Sequence, residues 1–447
     1  MSAAGQDLDF LVLGAGMAGM SAAARAAQSG ARVAVVERGP EPGGSAVFAE
    51  FIWTAPSVEV MREVNPDGDP ELARVAVEEF APAMDWIRSL GVSVGDPVEL
   101  LGYGVGHQTD MAALFRAYRA AVEDAGGEVL TEAEPLRLLI DDGAVRGAEV
   151  RLAGGETREL RAPATLLATG GYAGDPQLRA ERIHPNAAGL PLRANKFSAG
   201  AGLRLGEEAG AAFGIEDACF YGHLMARGLA MPDGSEIAIN TFFHSEHGVL
   251  VNLDGERFCD ETIGDQLNAI ALVEQPEARG LLITDQRVHD EWMLKPYVKG
   301  LEPVDKFQLA YRRGARCATA ADLDEFEALP PEWGFPGEKV RDTLVEFNRR
   351  CEAGDLSPSR ARDAMPLLDP PYYVIEVTTG ITFTMGGLRI DVDGHALDPD
   401  DEPIPGLFAA GADAGGLYRR AYAGGLAPAL VFGLRAAAAA VAANQEV

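Results

Sequence analysis

The sequence predicts an α/β protein of two domains, in which an α+β domain is inserted into a first domain built from βαβ units. Near the N-terminus a short apolar strand is followed by a glycine-rich turn, a helical stretch and a second apolar strand. Two further apolar segments that end in glycines occur much later in the chain, at residues 165–171 and 403–416, and are predicted strands of the first domain. At roughly 100 to 200 residues per domain, the 447 residues leave room for both domains.

The composition is that of a globular protein with an acidic surface. Hydrophobic residues make up 47% of the chain, and the 52 glycines and 27 prolines are scattered, which argues against disorder. The 38 Lys and Arg residues against 68 Asp and Glu residues give a formal net charge of -30. Such a charge repels phosphate backbones and anionic membrane surfaces, so we expect no nucleic-acid partner.

Neither a metal site nor a targeting segment is expected. The four cysteines lie far apart and form no CxxC pair and no cluster with the seven histidines, which predicts reduced, structural thiols. The N-terminus lacks a basic region, and its first apolar run, FLVLGAGMAGMSAAA, is interrupted by three glycines. We therefore expect a cytoplasmic protein without an integral membrane segment.

The N-terminal segment has the order of a dinucleotide-binding βαβ unit, the core of a Rossmann-like fold. A strand over residues 9–12 leads into Gly14, Gly16 and Gly19, an alanine-rich helix follows, and the second strand ends at Glu37. Glycines permit the tight turn, the approach of the backbone to a pyrophosphate, and close packing of helix on strand. The pyrophosphate would lie at the helix N-terminus, and Glu37 would accept hydrogen bonds from a ribose.

Three later segments favour FAD over NAD as the dinucleotide. The turn Gly43-Gly44-Ser45 follows Glu37 by six residues and resembles a turn that FAD enzymes of the glutathione-reductase-like class use to pass the chain over the pyrophosphate. ATLLATGG resembles the ATG motif of that class, and PIPGLFAAGADAGG resembles its last FAD-binding motif. The residues expected to bind FAD are Gly14, Gly16, Ala18, Gly19, Glu37, Arg38, Gly43, Gly44, Ser45, Ala133, Thr169, Gly170, Gly171, Gly411, Asp413, Leu426, Ala427, Ala429 and Leu430.

Over the whole chain the motifs resemble the flavoprotein family of fumarate reductases, 3-ketosteroid dehydrogenases and tricarballylate dehydrogenases. GVLVNLDGERFCDET and KFSAGAGLRLGEEAGAA are similar to interior segments of that family, and the part from GITFTMGG to the last helix is similar to its C-terminal end. The resemblance implies a glutathione-reductase-like FAD domain with an inserted α+β substrate domain and an active site between the two. It also implies transfer of two vicinal hydrogens next to a carbonyl or carboxylate, one as hydride and one as a proton.

Departures from the family argue against a small dicarboxylate substrate. Aligned with fumarate reductases, the chain has Asp265 in place of the arginine that donates the proton. Thr382 or Phe383 stands in place of a histidine, and Tyr422 stands in place of the arginine that binds a substrate carboxylate. A dicarboxylate would lose both its bidentate clamp and its proton donor. The tyrosine before Gly424 resembles the pattern of ketosteroid dehydrogenases, so the chain is most similar to these members.

Three tyrosines are candidates for proton transfer: Tyr422 first, then Tyr103 and Tyr221. A phenolate suits removal of the proton next to a ketone, provided that neighbours lower the pKa of the phenol from its ordinary value near 10. For Tyr103 and Tyr221 the alternative interpretation is structural: each is a buried aromatic residue whose hydroxyl is already hydrogen-bonded. The candidate substrate-binding residues are Tyr418, Arg419, Arg420, Gly425 and Thr382.

The last helix is expected to begin near residues 425–428, and the family resemblance directs its N-terminus toward the flavin. If the segment before it is helical, Tyr418 lies one turn from Tyr422. SAVFAE after Gly44 has no histidine of the kind that attaches flavin covalently in some family members, so the FAD is expected to be non-covalent.

We expect the FAD domain to comprise residues 1–204 and 376–447, and the substrate domain residues 205–375. The expected function is that of an FAD-dependent desaturase, which introduces a C=C bond next to the ketone of a 3-ketosteroid or a smaller oxocyclohexane-type ring. The sequence leaves three alternatives open for the electron acceptor: oxygen, a quinone or a carrier protein. One alternative is a tricarballylate-type carboxylate dehydrogenase, with Arg419 and Arg420 on the carboxylate, and another is a non-catalytic flavin-binding protein.

Overall fold

The computed structural model describes residues 8–229, 240–296 and 302–445, and it divides into two compact units. Unit 1 comprises Met1–Leu178, Ala194–Phe220 and Phe383–Val447. Unit 2 comprises Arg179–Arg193 and Tyr221–Thr382. The chain therefore passes from unit 1 into unit 2 twice, first for the short segment 179–193 and then for residues 221–382, and ends in unit 1.

Strands and helices alternate over most of the chain. In chain order the strands are β1 (Phe10–Leu13), β2 (Val33–Val36), β3 (Phe51–Thr54), β4 (Val94–Leu100), β5 (Gly104–Thr109), β6 (Glu128–Leu130), β7 (Glu134–Asp141), β8 (Ala144–Arg151), β9 (Thr157–Arg161), β10 (Thr165–Leu167), β11 (Phe220–Ala226), β12 (Val249–Asn252), β13 (Gly280–Thr284), β14 (Cys317–Ala320), β15 (Tyr372–Thr384), β16 (His395–Leu397) and β17 (Pro403–Ala409). The helices are α1 (Met17–Gln28), α2 (Val58–Val64), α3 (Pro70–Glu78), α4 (Phe80–Ser89), α5 (Met111–Asp124), α6 (Pro176–Arg182), α7 (Ala201–Glu208), α8 (Asp265–Val273), α9 (Gln286–Val288), α10 (Lys306–Arg312), α11 (Gly337–Ala353) and α12 (Leu426–Gln445).

Unit 1 is built on a six-stranded sheet in the order β16-β17-β10-β1-β2-β6. Its central pairs are parallel, and β16 is antiparallel to β17 at one edge. The central strands β1 and β2 are continuous apolar runs, FLVL and VAVV, in which every residue is buried, as parallel strands covered on both faces require. The predicted Rossmann-like α/β fold is confirmed.

The βαβ segment predicted near the N-terminus has the expected order, and the ends of β1, α1 and β2 lie within one to three residues of the predicted ones. Small residues bring α1 close to its neighbours. A Cβ on Gly433 of α12 would lie 2.5 Å from the backbone oxygen of Ala18, so only glycine permits this approach of the two helices. Two three-stranded sheets, β3-β5-β4 and β7-β8-β9, complete the sheets of unit 1 among the described residues.

Within the described part of the chain, one helical segment, Leu426–Ala443, is long and apolar enough to cross a membrane. More than half of that segment, 56%, is buried inside the protein. Its apolar face packs on α1, with Ala427, Leu430 and Ala437 fully buried, and this packing accounts for its composition.

Unit 2 is an α+β domain around a five-stranded sheet of order β11-β15-β13-β12, with β14 also paired to β15. Alternate residues of its strands enter different apolar clusters: Val249 and Val251 pack with Phe347 of α11, whereas Leu250 packs with Phe242 and Leu272. Both faces of this sheet are therefore covered, which gives the unit a core of its own.

The observed unit boundaries differ from those expected at residues 204/205 and 375/376. The first falls inside α7, which belongs wholly to unit 1 because Gly206 lies against Leu388, whose Cδ2 would be 2.8 Å from an added Cβ. The second falls inside β15, which pairs with β13 as far as Val377 and stays in unit 2 up to Thr382. Hydrophobic patterning shows neither that α7 belongs to unit 1 nor that β15 passes from unit 2 into unit 1.

The four cysteines are free thiols, and burial raises the pKa of the Cys259 thiol and raises that of Cys317 to about 12. Thiols of this kind are poor nucleophiles. In residues 8–229, 240–296 and 302–445, no group of three or more His, Cys, Asp or Glu side chains is arranged to hold a metal ion.

Candidate active site

The first glycine turn connects β1 to α1 in unit 1. Gly14 has a φ of +110°, and a Cβ there would lie 2.9 Å from Cα of Thr169 and would overlap the carbonyl group of Ala168. Gly16 is the N-cap of α1, and nothing lies within 4 Å of a Cβ placed on it. The helix N-terminus is thus open, with no acidic residue in its first turn, which suits a pyrophosphate.

Glu37 follows β2 and is buried, with 7% of its surface exposed. Its two carboxylate oxygens accept hydrogen bonds from the N–H groups of Ala15, at 2.8 Å, and Gly39, at 2.6 Å. Its backbone carbonyl accepts the N–H of Ala133 at 2.8 Å. The neighbouring Arg38 instead forms a half-exposed ion pair with Glu134, at 3.7 Å. The carboxylate of Glu37 is therefore held at the carboxyl end of β2, beside the first glycine turn.

The second glycine turn lies against the first. The N–H of Gly43 donates to the carbonyl of Ala15 at 2.8 Å, and a Cβ on Gly44 would lie 3.3 Å from Cα of Gly16. Ser45 accepts the N–H of Asn195 at 2.9 Å through its Oγ. A side chain on Gly44 would fill the space between the two turns, whereas one on Gly43 would overlap the side chain of Val47, so glycine is required at both positions.

The ATG segment and the C-terminal motif are joined through Asp413, whose side chain is fully buried. Its carboxylate accepts the N–H of Thr169, the hydroxyl of Thr169 at 3.1 Å and the N–H of Gly171 at 2.8 Å. Burial raises the pKa of Asp413, and the N–H donors of Gly171 and Thr169 oppose that rise. Asp413 therefore holds the loop after β10, where Gly170 and Gly171 have positive φ angles of +96° and +70°.

A pocket lies at the N-terminus of α12. About 380 Å³ of space, part of it open to solvent, is lined by Gly411, Gly425, Ala429, Tyr418 and Phe383 among others. Leu426 begins the helix, as expected, and its first turn carries no acidic residue. The positive end of the helix dipole therefore favours negative charge in this pocket.

Five aromatic side chains of unit 1 form a cluster beside this helix N-terminus: Trp53, Tyr103, Phe383, Tyr418 and Tyr422. The ring of Tyr422 is central, with centroid distances of 5.6 Å to Trp53, 5.9 Å to Phe383 and 5.5 Å to Tyr418. Trp53 also contacts Tyr103 edge to face at 6.0 Å. We refer to these five residues as the aromatic cluster. Trp53, in the alternating strand β3, has no motif that marks it in the sequence.

Tyr422 does not meet the expectation of a lowered pKa. Its side chain is buried, and burial together with the neighbouring Tyr418 and Tyr103 raises its pKa well above the ordinary value. The N–H of Gly425, which hydrogen-bonds the phenol oxygen, opposes this rise only in part. The direction of this shift favours a protonated hydroxyl over a phenolate at neutral pH.

The segment before α12 is not helical, contrary to the expectation that Tyr418 lies one helical turn from Tyr422. Residues 415–425 form bends and irregular backbone, with Gly424 at a φ of +95°. The two rings meet nevertheless, because the chain folds back on itself at this turn. The backbone carbonyl of Tyr422 accepts the hydroxyl of Tyr103 at 3.0 Å.

Neither candidate arginine lies in the aromatic cluster. Arg419 forms a bidentate ion pair with Asp217, at 2.9 Å from its Nε, and its side chain is 37% exposed. Arg420 is exposed. Because the guanidinium of Arg419 is already paired with the carboxylate of Asp217, the structure gives no support to the prediction that Arg419 binds a substrate group.

Tyr221 belongs to unit 2, where it contacts a buried histidine. Its ring lies 4.7 Å from that of His223, whose Nδ1 is hydrogen-bonded to a carboxylate oxygen of Asp265. Burial lowers the pKa of His223. Thr382, at the end of unit 2, has a buried Oγ1 with no hydrogen-bond partner among the described residues. An unpaired buried hydroxyl is suited to a ligand, which supports the prediction for Thr382.

Unit 2 also holds a carboxyl group that titrates near neutral pH. Burial, and then the charge of Asp265, raise the pKa of Glu246 to about 7 from an ordinary 4.5. Because the pKa is higher in the folded state, the group's contribution to stability is present below pH 4.5 and is lost as the pH rises to about 7.

Glu246→Gln is therefore expected to gain stability relative to the parent protein as the pH rises from 5 to 8, by about 3 kcal/mol at most. Urea unfolding at the two pH values measures the difference. Glu332→Gln, at an exposed position of unit 2, serves as the control and should follow the parent protein. A Glu246→Gln protein whose relative stability is the same at both pH values would show that this carboxyl is not protonated in the fold.

The two glycine turns, Glu37 and the open N-terminus of α1 lie together, an arrangement that suits the pyrophosphate and ribose of FAD. The family model described as FAD binding domain matches residues 9–426 of the chain. The chain belongs to this family. It is an FAD-dependent oxidoreductase of the fumarate reductase and ketosteroid dehydrogenase group, and its relatives act on carbon–carbon bonds.

Three known proteins illustrate the similarity. The vinyl phenol reductase of Lactiplantibacillus plantarum is 27% identical over 93% of this chain and 91% of that protein. The fumarate reductase (cytochrome) of Shewanella frigidimarina is 27% identical over 93% of this chain and 74% of that protein. The solved structure of 3-ketosteroid delta1-dehydrogenase from Sterolibacterium denitrificans has a TM-score of 0.76 at 18% identity, covering 98% of this chain and 100% of that one. This last similarity concerns the fold.

Replacement of Glu37 by Ala is expected to weaken FAD binding by about 1 to 3 kcal/mol, the range for a hydrogen bond to a charged group. Titration of the apoprotein with FAD gives the dissociation constant. Glu63→Ala, at an exposed position of the same unit, should bind FAD as the parent does. An unchanged constant for Glu37→Ala would remove this carboxylate from the ribose site.

Acid precipitation of the protein is expected to leave its flavin in the supernatant. The segment Gly44–Phe48 that follows the second turn offers no histidine for covalent attachment. The flavin absorption of pellet and supernatant decides the point, and a yellow pellet would contradict a non-covalent cofactor.

Proposed function

We propose that the protein transfers two hydrogens between FAD and the carbon–carbon bond next to the carbonyl of a cyclic substrate, a 3-ketosteroid or a smaller oxocyclohexane-type ring. Formation of an α,β double bond and its reduction are the two directions of this reaction. The observation that carries the proposal is the aromatic cluster at the N-terminus of α12, with the protonated hydroxyl of Tyr422 at its centre.

The walls of the cluster suit a ring better than a dicarboxylate. Trp53, Tyr103 and Phe383 are each partly exposed, so aromatic faces and edges are available to an apolar ring. The position that holds a clamping arginine in fumarate reductases is Tyr422 here, and Arg419 is engaged by Asp217. A dicarboxylate would therefore meet apolar surface where it needs cations.

The hydroxyl of Tyr422 is proposed to donate a hydrogen bond to the substrate carbonyl. Its oxygen accepts the N–H of Gly425, and a hydroxyl that accepts such a bond becomes a stronger donor. Donation to the carbonyl oxygen acidifies the adjacent C–H in desaturation and draws electrons from the double bond in reduction, so one group serves both directions.

The FAD would be held by the two glycine turns, Glu37 and the loop that Asp413 fixes, and when bound it accepts or supplies the hydride. The N-terminus of α12 favours negative charge, such as that on an enolate-like oxygen, because its dipole is positive at this end. Tyr103 and Tyr221 remain proposed participants in proton transfer. Thr382, with its unpaired hydroxyl, is proposed to contact the substrate.

The names of two relatives favour reduction of the double bond as the proposed direction. A protonated phenol donates to the carbonyl in either direction, so it does not decide between them. One of those relatives is a vinyl phenol reductase, so a ring bearing a conjugated double bond is a second candidate substrate. A carboxylate dehydrogenase is less well supported, because Arg419 is paired at the surface.

An anaerobic panel tests the proposal without knowledge of the electron acceptor, because the flavin itself is observed. Protein reduced with dithionite is mixed with cyclohex-2-enone, 4-vinylphenol or fumarate, and oxidised protein is mixed with cyclohexanone. We expect the enone to reoxidise the flavin at least about 100-fold faster than fumarate does, because fumarate lacks its clamp. Reoxidation by fumarate alone would contradict the proposal, and a flavin that none of the compounds changes would indicate a binding protein.

A further inference from the structure

We infer that Tyr418 is a positioning residue, whose hydroxyl holds the turn that carries Tyr422 and thereby sets the position of the Tyr422 hydroxyl. The inference rests on the proposed role of Tyr422 as the hydrogen-bond donor to substrate. It assigns to Tyr418 an action through another residue rather than contact with the reacting atoms.

The hydroxyl of Tyr418 joins two peptide groups of the turn. It donates to the carbonyl of Gly424 at 2.7 Å, and it accepts the N–H of Ala423. The peptide group of Gly424 and Gly425 is then bound at both ends, because its N–H bonds the phenol oxygen of Tyr422. Tyr418 therefore orients the very N–H group that contacts the Tyr422 hydroxyl.

The peptide group between Tyr422 and Ala423 is also bound at both ends. Its N–H meets Tyr418, and its carbonyl accepts the hydroxyl of Tyr103 at 3.0 Å. The hydroxyls of Tyr103 and Tyr418 thus hold the peptide groups before and after the one that joins Ala423 to Gly424, and Ala423 is itself fully buried. The arrangement fixes the rotation of each peptide plane, since rotation would break a hydrogen bond at both ends.

The turn needs this support because its backbone is glycine-rich. Gly424 has a φ of +95°, and a Cβ there would lie 2.9 Å from the backbone carbon of Trp53. The close approach to β3 excludes a side chain that would restrict the backbone, and two successive glycines have the largest conformational freedom of any residues. Hydrogen bonds from outside the turn replace the missing steric restriction.

Tyr418 is suited to this task by its burial. Only 2% of its surface is exposed, and burial raises its pKa, so the hydroxyl keeps its proton at the pH values where the protein is folded. Its ring packs 5.5 Å from that of Tyr422, and this contact survives in a phenylalanine variant. Tyr418→Phe therefore removes the two hydrogen bonds and leaves the ring packing.

The first measurement is amide hydrogen exchange of the holoprotein over a peptide spanning residues 418–426. In Tyr418→Phe we expect exchange about 10-fold faster than in the parent protein, because the turn opens more often when its hydrogen bonds are lost. Tyr372→Phe is the matched control: Tyr372 is a buried tyrosine of unit 2 whose hydroxyl also donates to a backbone carbonyl, that of Leu367 at 3.4 Å. Unchanged exchange in Tyr418→Phe would overturn the inference.

The second measurement is a double-mutant cycle on anaerobic reoxidation of the reduced protein by cyclohex-2-enone. We expect Tyr418→Phe to slow the reaction about 10- to 100-fold, as displacement of a catalytic group does. In a Tyr422→Phe background the same change should have an effect of less than about 2-fold, because the residue then has nothing to position. An equal effect in both backgrounds would overturn the inference, since a merely structural role acts independently of Tyr422.

The outcomes separate this inference from the proposed function. If Tyr422→Phe reacts as fast as the parent protein, the role of Tyr422 fails and the inference fails with it. If Tyr422→Phe is slow but Tyr418→Phe is as fast as the parent, only the inference fails. Should Tyr418→Phe not fold with FAD, hydrogen exchange over residues 418–426 is measured in Tyr103→Phe, which removes the bond to the carbonyl of Tyr422, and unchanged exchange there would overturn the inference.

Discussion

A Tyr422→Phe protein is expected to keep its FAD and its fold but to be reoxidised by a cyclic enone about 10²- to 10⁴-fold more slowly than the parent, the usual worth of a positioned donor or acid at a reacting group. The change deletes one hydroxyl and leaves the ring against Trp53 and Phe383. Stopped-flow absorbance of the flavin gives the rate, and Tyr372→Phe, at a buried tyrosine outside the aromatic cluster, should react as the parent does.

The pH dependence distinguishes a neutral donor from a phenolate base. Because burial raises the pKa of Tyr422 well above its ordinary value, the hydroxyl does not titrate near neutral pH. The parent and Tyr422→Phe proteins should therefore show rate profiles of the same shape between about pH 6 and pH 9. Disappearance of an ionisation from the Tyr422→Phe profile would restore the phenolate base, and an undiminished rate would exclude both roles.

Gly14→Ala is expected to abolish stable FAD binding. The residue has a φ of +110°, and the new Cβ would overlap the carbonyl group of Ala168 and lie 2.9 Å from Cα of Thr169. These are backbone atoms of the loop that follows β10, so relief requires displacement of that loop. We expect purified protein without flavin and a free energy of unfolding reduced by roughly 3 kcal/mol or more.

Gly30→Ala is the matched control for that experiment. Gly30 lies at the other end of α1, has a φ of +88°, and has nothing within 4 Å of an added Cβ. It should bind FAD normally and lose only about 1 to 2 kcal/mol, the cost of the left-handed conformation. Equal FAD content in the two variants would show that the close approach at Gly14 does not support the cofactor site.

The elements around the first glycine turn were predictable because their signals are local. The apolar runs of β1 and β2 and the spacing of Gly14, Gly16 and Gly19 specify strand, turn and helix within one stretch of chain. The start of α12 was predictable for the same reason, since Pro428 is tolerated only in a first helical turn. Such patterns carry their structural meaning without knowledge of the fold.

The contacts that complete the site were not predictable, because they join distant parts of the chain. Asp413 binds the N–H of Thr169, which lies 244 positions away. Trp53 reads as an ordinary strand residue, and only the fold brings it to Tyr422. The spacing of Tyr418 and Tyr422 suits a helix, but Gly424 and the hydrogen bonds of the turn determine the backbone there.

The protonation state of Tyr422 illustrates the same limit for chemistry. The residue type predicts a group that can exchange a proton, and the family resemblance predicts its place in the site. The direction of the pKa shift depends on burial and on the neighbouring Tyr418 and Tyr103, which only the fold supplies. That direction changes the proposed role of Tyr422 from a base to a hydrogen-bond donor.

Anaerobic mixing of dithionite-reduced protein with one equivalent of cyclohex-2-enone tests the proposed reaction most directly. We expect the visible absorption of oxidised flavin to return in full and cyclohexanone to appear in equal amount by mass spectrometry. With fumarate under the same conditions the flavin should stay reduced. Full reoxidation by fumarate, with succinate as product and no reaction of the enone, would contradict the proposed transfer of hydrogens to a ring that carries a carbonyl.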